Sequence, residues 1–175
     1  MLKPGTYTLG PSDGALTVRT GKTGAAAKAG HNLVIEVGSW SAELAVGADG
    51  PTGMSLTADP RSLSVLEGTG GIQALGDEEK DSIRQTIDTD VLQGGAIAFH
   101  CTRVTGERVD GELELRGQTH PLAFELTLDD TGHLTGIARF KQTDWGIKPY
   151  SALFGTLKVV DEIDVAIDIT LSEPS

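Results

Sequence analysis

The stretch Ile163-Asp164-Val165-Ala166-Ile167-Asp168-Ile169-Thr170-Leu171 alternates large apolar residues with acidic or small ones at a period of two. Successive side chains of a strand point to opposite faces, so this segment is a strand with one greasy face over an interior and one wet face. The rhythm recurs upstream. Leu122, Phe124, Leu126 and Leu128 alternate with Ala123, Glu125, Thr127 and Asp129, and Leu113 and Leu115 with Glu112 and Glu114. Ile97, Phe99 and Cys101 alternate with Ala98, His100 and Thr102, and Trp40, Ala42, Leu44 and Val46 with Ser41, Glu43 and Ala45.

Weaker strands fit Tyr7 to Leu9, Ala15 to Thr20, Leu33 to Val37, Met54 to Ala58, Leu134 to Phe140 and Thr156 to Val160. Turn residues separate them at Pro11 to Gly14, Gly47 to Gly53, Thr105 to Glu107 and Asp129 to Gly132. One segment breaks the pattern. Asp77 to Leu92 has acidic residues in its first turn, Asp77 as a cap, and Ile83, Ile87 and Val91 at spacing four, which predicts an amphipathic helix inserted between two strands. Antiparallel strands with one helix-bearing connection predict an all-β barrel closed on itself, because closure removes the edges that an open sheet exposes. The whole chain, 1–175, reads as one domain.

Composition narrows the function classes. Fourteen basic against 25 acidic side chains leave a net charge of -11, the wrong sign for nucleic acid or an anionic membrane surface. The single cysteine, Cys101, excludes an intrachain disulfide and, sharing a face with Phe99, reads as an inert buried thiol. No apolar run approaches the length of a membrane span or the core of a signal peptide, so a cytoplasmic protein without direct membrane insertion is expected.

No catalytic or metal constellation is apparent. Metal or acid–base chemistry needs several of His31, His100, His120 and His133 to converge with a carboxylate, whereas His100 is placed outward and His120 and His133 lie at turns. His31, which starts a strand after Gly30, is the exception and is placed at a barrel mouth. The serines lie in no nucleophile-elbow pattern, and the glycine pairs near Gly68 and Gly94 lack the lysine of a phosphate loop.

The inward positions are apolar and of mixed size, which suits a hydrocarbon ligand. From alternation, the expected cavity lining is Leu33, Ile35, Trp40, Leu44, Leu56, Phe99, Leu113, Leu115, Phe124, Leu126, Phe140, Trp145, Val165 and Ile167. His31, Arg116, Arg139 and Asp144 are the candidate polar contacts at an open end. Each apolar position is equally compatible with plain core packing, since about eight strands enclose either a filled interior or one small ligand.

Several segments together resemble the YceI family, bacterial polyisoprenoid-binding proteins with a lipocalin-like barrel. Gly5, Thr6, Tyr7 and Thr8 are similar to its first strand, with Tyr7 in place of the usual tryptophan. Gly30, His31 and Asn32, followed by Leu33 to Val37 and Trp40, resemble the start of its third strand. Pro60 to Val65, with Gly68, Gly70 and Gly71, resembles the loop leading into its helix. The run Gly111 to Pro121 is similar to its strand, glycine-threonine turn and second strand; Gln142 to Ile147 resembles a late aromatic-glycine-isoleucine motif, and Asp161 to Ile169 its closing strand.

The resemblance implies an eight-stranded or slightly extended antiparallel barrel with a non-catalytic role: binding a polyisoprenoid, isoprenoid quinone or related amphiphile, with no other cofactor. Dimerisation is plausible by the same resemblance. Two other classes remain open from the residues: a hydrolase or metal-dependent enzyme using His31 at the mouth, and a filled-barrel structural or stress-related interaction protein.

Overall fold

The computed structural model describes residues 2–71, 75–152 and 157–174. The chain begins with β1 (Gly5–Leu9), β2 (Gly14–Thr20) and the short β3 (Lys22–Thr23), then runs through β4 (Asn32–Val37), β5 (Trp40–Gly47), β6 (Gly50–Ala58) and β7 (Leu63–Thr69). Helix α1 (Asp77–Thr86) follows. The second half contains β8 (Ile97–Thr105), β9 (Arg108–Leu115), β10 (Gln118–Leu128), β11 (His133–Lys141), β12 (Ser151–Ala152), β13 (Leu157–Val159) and β14 (Glu162–Thr170). The expected strand at 156–160 is β13, with residue 156 outside the described residues.

Eleven strands form one antiparallel sheet in the order β1-β5-β6-β8-β9-β10-β11-β14-β2-β4-β7, and β12, β13 and β3 form a small second sheet. This corrects the expected closed eight-stranded barrel: the sheet is curled and all-antiparallel, but its edge strands β1 and β7 share no ladder. The cause is a bent hairpin. β4 runs into β5 through Gly38 and Ser39, and β6 into β7 through residues 59–62; at the corner the Gly38 N–H donates to Ser62 O and the Asp59 N–H to Ser39 O, both at 2.9 Å. The hairpin thus delivers β5 and β6 near one end of the sheet and β4 and β7 to the other, curling the sheet around an interior. A period of two marks extended segments but is blind to a corner that splits one run between two sheet positions.

Local chemistry accounts for the rest. Arg116 and Gly117 both have positive φ, 51° and 76°, and join the paired residues Leu115 and Gln118 in a two-residue hairpin whose twist suits the flanking strands. Leu63–Thr69, expected as a loop, is a strand because Leu63 and Val65 alternate inward. Asp77 is the first helical residue and not the cap; Gly76 holds the cap position without a side-chain bond, and Asp77, Glu78 and Glu79 complement the positive end of the helix dipole. The α-helix ends earlier than expected. Residues 87–91 widen into a π turn in which the Leu92 N–H donates to Ile87 O at 2.8 Å.

Candidate ligand-binding cavity

The inward row of each central strand divides into two parts. On β9, Leu113 and Leu115 border open space while Val109 is packed; on β10, Leu122 and Phe124 border it while Leu126 does not. β11 splits the same way between Ala138 and Phe140 and the packed Leu134, and β14 between Val165 and Ile167 and the packed Ile169. The packed residues sit at the starts of β9 and β11 and the ends of β10 and β14, which antiparallel pairing places side by side. One end of the interior is therefore solid, with Tyr7, Leu44, Val109, Leu126 and Leu134 each no more than 2 % exposed.

The opposite end holds a cavity of about 450 Å³. Its walls come from β2, β4, β6, β8, β9, β10, β11 and β14, and Ile83, Thr86, Ile87, Val91 and Leu92 from α1 and the π turn complete the enclosure. Spacing four puts Ile83, Ile87 and Val91 on one helical face, and that face meets the cavity. Polar groups are few: Thr20, Lys22, His31, Ser82, Thr86, Gln142 and Tyr150. Buried Gln142 is tied down, its Nε2 donating to Val160 O at 3.2 Å.

Ten of the fourteen apolar positions expected from alternation border this space: Leu33, Ile35, Leu56, Phe99, Leu113, Leu115, Phe124, Phe140, Val165 and Ile167. Phe99 and Phe124 meet with ring centroids 5.4 Å apart. Trp40, Leu44, Leu126 and Trp145 face inward as expected but belong to packed core. Trp145 is committed elsewhere: its Nε1 donates to Leu113 O at 2.7 Å, and its ring meets Phe140 at 4.9 Å and His120 at 5.6 Å.

Of the expected polar contacts, only His31 borders the cavity. Arg116 donates through Nη1 to Gly146 O at 2.9 Å and so ties two turns together. Arg139 pairs with Asp164 on the outer face, with Nε and Nη2 donating at 2.7 and 3.0 Å. That pairing raises the Arg139 pKa and holds the Asp164 carboxyl below the usual carboxylate range. Asp144 is exposed in the 142–145 turn. Cys101 is half-buried against the core, less enclosed than its sequence setting implied. His100 is exposed, and His133 Nε2 lies 2.7 Å from Asp168 Oδ1 outside the sheet. Among the described residues no three histidine, cysteine, aspartate or glutamate side chains are grouped to hold a metal, and no helix is long and apolar enough to cross a membrane.

The lysine was missed by sequence reading. Lys22 reaches the cavity mouth and donates through Nζ to Gly30 O at 2.9 Å and to Gly70 O. Its signal was weak, a single basic residue in a short segment between Gly21 and Gly24.

A wrapped antiparallel sheet with an apolar cavity beneath a single helix agrees with the comparison of this sequence against protein families. The YceI-like domain model matches residues 7–171. The chain belongs to the YceI-like family. Its structural neighbours include BcnA of Burkholderia cenocepacia, with a TM-score of 0.58 at 13% identity over 90% of this chain and 96% of that one. They also include a mutant CJ YceI protein with a monobromobimane guest, with a TM-score of 0.54 at 12% identity over 79% and 84%. At that identity the likeness concerns the YceI fold alone. A search of curated proteins gave no significant match.

Proposed function

We propose that the protein binds the apolar tail of a long-chain amphiphile, of the polyisoprenoid or isoprenoid-quinone class, in the cavity under α1, without catalysing a reaction. The observation that carries this is the 450 Å³ apolar space. A volume of this size lies within the roughly 300–1,000 Å³ typical of small-molecule sites, so an apolar tail can be enclosed. Each methylene moved from water to this lining contributes about 0.8 kcal/mol, so affinity comes from tail length more than from polar contacts.

The same cavity speaks against a filled structural barrel, whose interior would be close-packed throughout. A hydrolase centred on His31 calls for a carboxylate beside it, and none is among the described residues bordering the cavity. Family membership supports the isoprenoid class.

Organic extraction of protein purified from its own host, followed by lipid mass spectrometry, tests the reading, together with titration of the emptied protein with farnesol. A co-purifying isoprenoid and saturable farnesol binding are expected. Protein that is consistently empty and takes up no isoprenoid overturns it.

A further inference from the structure

The cavity's charge is out of keeping with the chain that builds it. The protein carries 25 acidic residues and a net charge of -11, yet the described residues bordering the cavity include no aspartate or glutamate and one permanent cation, Lys22. The ammonium is fixed at the mouth by the Gly30 and Gly70 carbonyls. Carbonyl oxygens orient an ammonium but do not neutralise it, and among the described residues no carboxylate lies within ion-pair distance. Of its three N–H donors two are engaged among the described residues, and the third is available to a ligand.

The surroundings hold this group in place. His31 borders the same end, and its ring is packed so closely that a Cβ on Gly71 would fall 2.2 Å from Nε2. A Cβ on Gly70 would come within 3.1 Å of Lys22 Nζ. The glycines of 68–71 thus let backbone lie against both side chains. Beside them, Thr20 Oγ1 is buried without a hydrogen-bond partner among the described residues. A half-buried, un-neutralised cation next to an apolar cavity is costly unless an opposite charge meets it.

We propose that the cavity selects a long-chain carboxylate, with its headgroup on Lys22 at the mouth and its tail under α1. The proposal rests on the tail-binding reading and narrows its ligand class, favouring a tail that ends in an acid over one that ends in an alcohol or a quinone. A monoanion fits better than a phosphate or pyrophosphate, because one ammonium balances one charge and a further negative charge meets the field of an acidic protein. A neutral alcohol or quinone would occupy the same space and leave the ammonium uncompensated.

Displacement of an environment-sensitive dye by tetradecanoate, tetradecanol, tetradecylamine and tetradecyl phosphate tests this on wild type, Lys22→Gln and Lys22→Arg. Charge-assisted hydrogen bonds are roughly twice as strong as neutral ones, so wild type should prefer tetradecanoate to tetradecanol by about tenfold. Lys22→Gln should abolish that preference by weakening tetradecanoate about tenfold more than tetradecanol, and Lys22→Arg should keep it. The alcohol is the internal control, because a merely misfolded mouth weakens both ligands alike. Equal wild-type affinities, a preference for amine or phosphate, or a preference that survives Lys22→Gln overturns the carboxylate while leaving the tail-binding cavity standing. Failure of every tail to displace the dye overturns both.

Discussion

The ring of Phe99 lies against the Cα of Gly111: a Cβ built there would stand 2.5 Å from Phe99 Cζ and 2.4 Å from the His100 carbonyl oxygen. The ring contact can relax by turning Phe99 into the cavity it borders, but the backbone oxygen has no such freedom. Gly111→Ala should therefore cost about 1–3 kcal/mol of stability, the usual range for overpacking, and weaken binding of an apolar tail. Urea denaturation and farnesol titration measure the two effects. Adding Phe99→Leu should restore tail binding more fully than stability, and a double variant that recovers neither shows that the ring does not connect the two.

The sheet was legible because its evidence is local. Ile163 to Leu171 alternates cleanly and becomes the strand between β11 and β2, and Asp77 to Leu92 shows a helical period that is largely realised. What alternation states is only which face a residue occupies. Leu126 and Phe124 share a face and a strand, yet one is packed and the other borders the cavity, since position along the barrel axis decides between them. Lys22 and Gly70 are 48 residues apart, and no pattern in either segment announces that one clamps the other. Arg139 looked like a mouth charge but is the cross-strand partner of Asp164 on the outer face of paired β11 and β14.

Trp145 separates wall from lining. It is 2 % exposed and does not border the cavity, and its indole N–H is spent on Leu113 O. Trp145→Phe keeps a ring against Phe140 and loses that bond, for which a cost of about 1–3 kcal/mol is expected. Tail affinity should be unchanged. A thermal melt and a farnesol titration on the same sample check the pair of outcomes, and a large affinity loss at unchanged stability would make Trp145 a ligand contact after all.

Acid should loosen two turns and one strand pair through three carboxylates. Asp129 is held below its ordinary value of 3.8 by the Thr131 hydroxyl and by N–H groups of His133 and Thr131. Asp161 is lowered first by the Thr143 hydroxyl, and Asp164 first by Arg139. A depressed folded-state pKa means the unfolded chain takes up protons first. Stability from these groups is thus fully present above about 3.8 and is lost as pH falls through the lower folded values. All three lie at the surface, so each contribution is small and weakens with salt. Asp161→Asn should lower stability at neutral pH and flatten the acid limb of a plot of melting temperature against pH; an unaltered limb would remove Asp161 from the account.

Ile87 offers a test of the helix as cover. It borders the cavity from the π turn, yet no residue of α1 or of that turn is fully buried. A charge at position 87 can therefore turn to solvent by a small movement of the helix, whereas one at Leu113, between β8 and β10, cannot. Ile87→Asp removes an apolar contact of about 1.5–3 kcal/mol from a bound tail, so farnesol affinity should fall tenfold or more. The melting temperature of the unliganded protein should move far less than for Leu113→Asp, where an unpaired charge is forced into the apolar wall of the cavity. Calorimetry of binding and of unfolding on both variants decides the matter: an Ile87→Asp protein that binds as tightly as wild type would show that α1 does not close over the ligand.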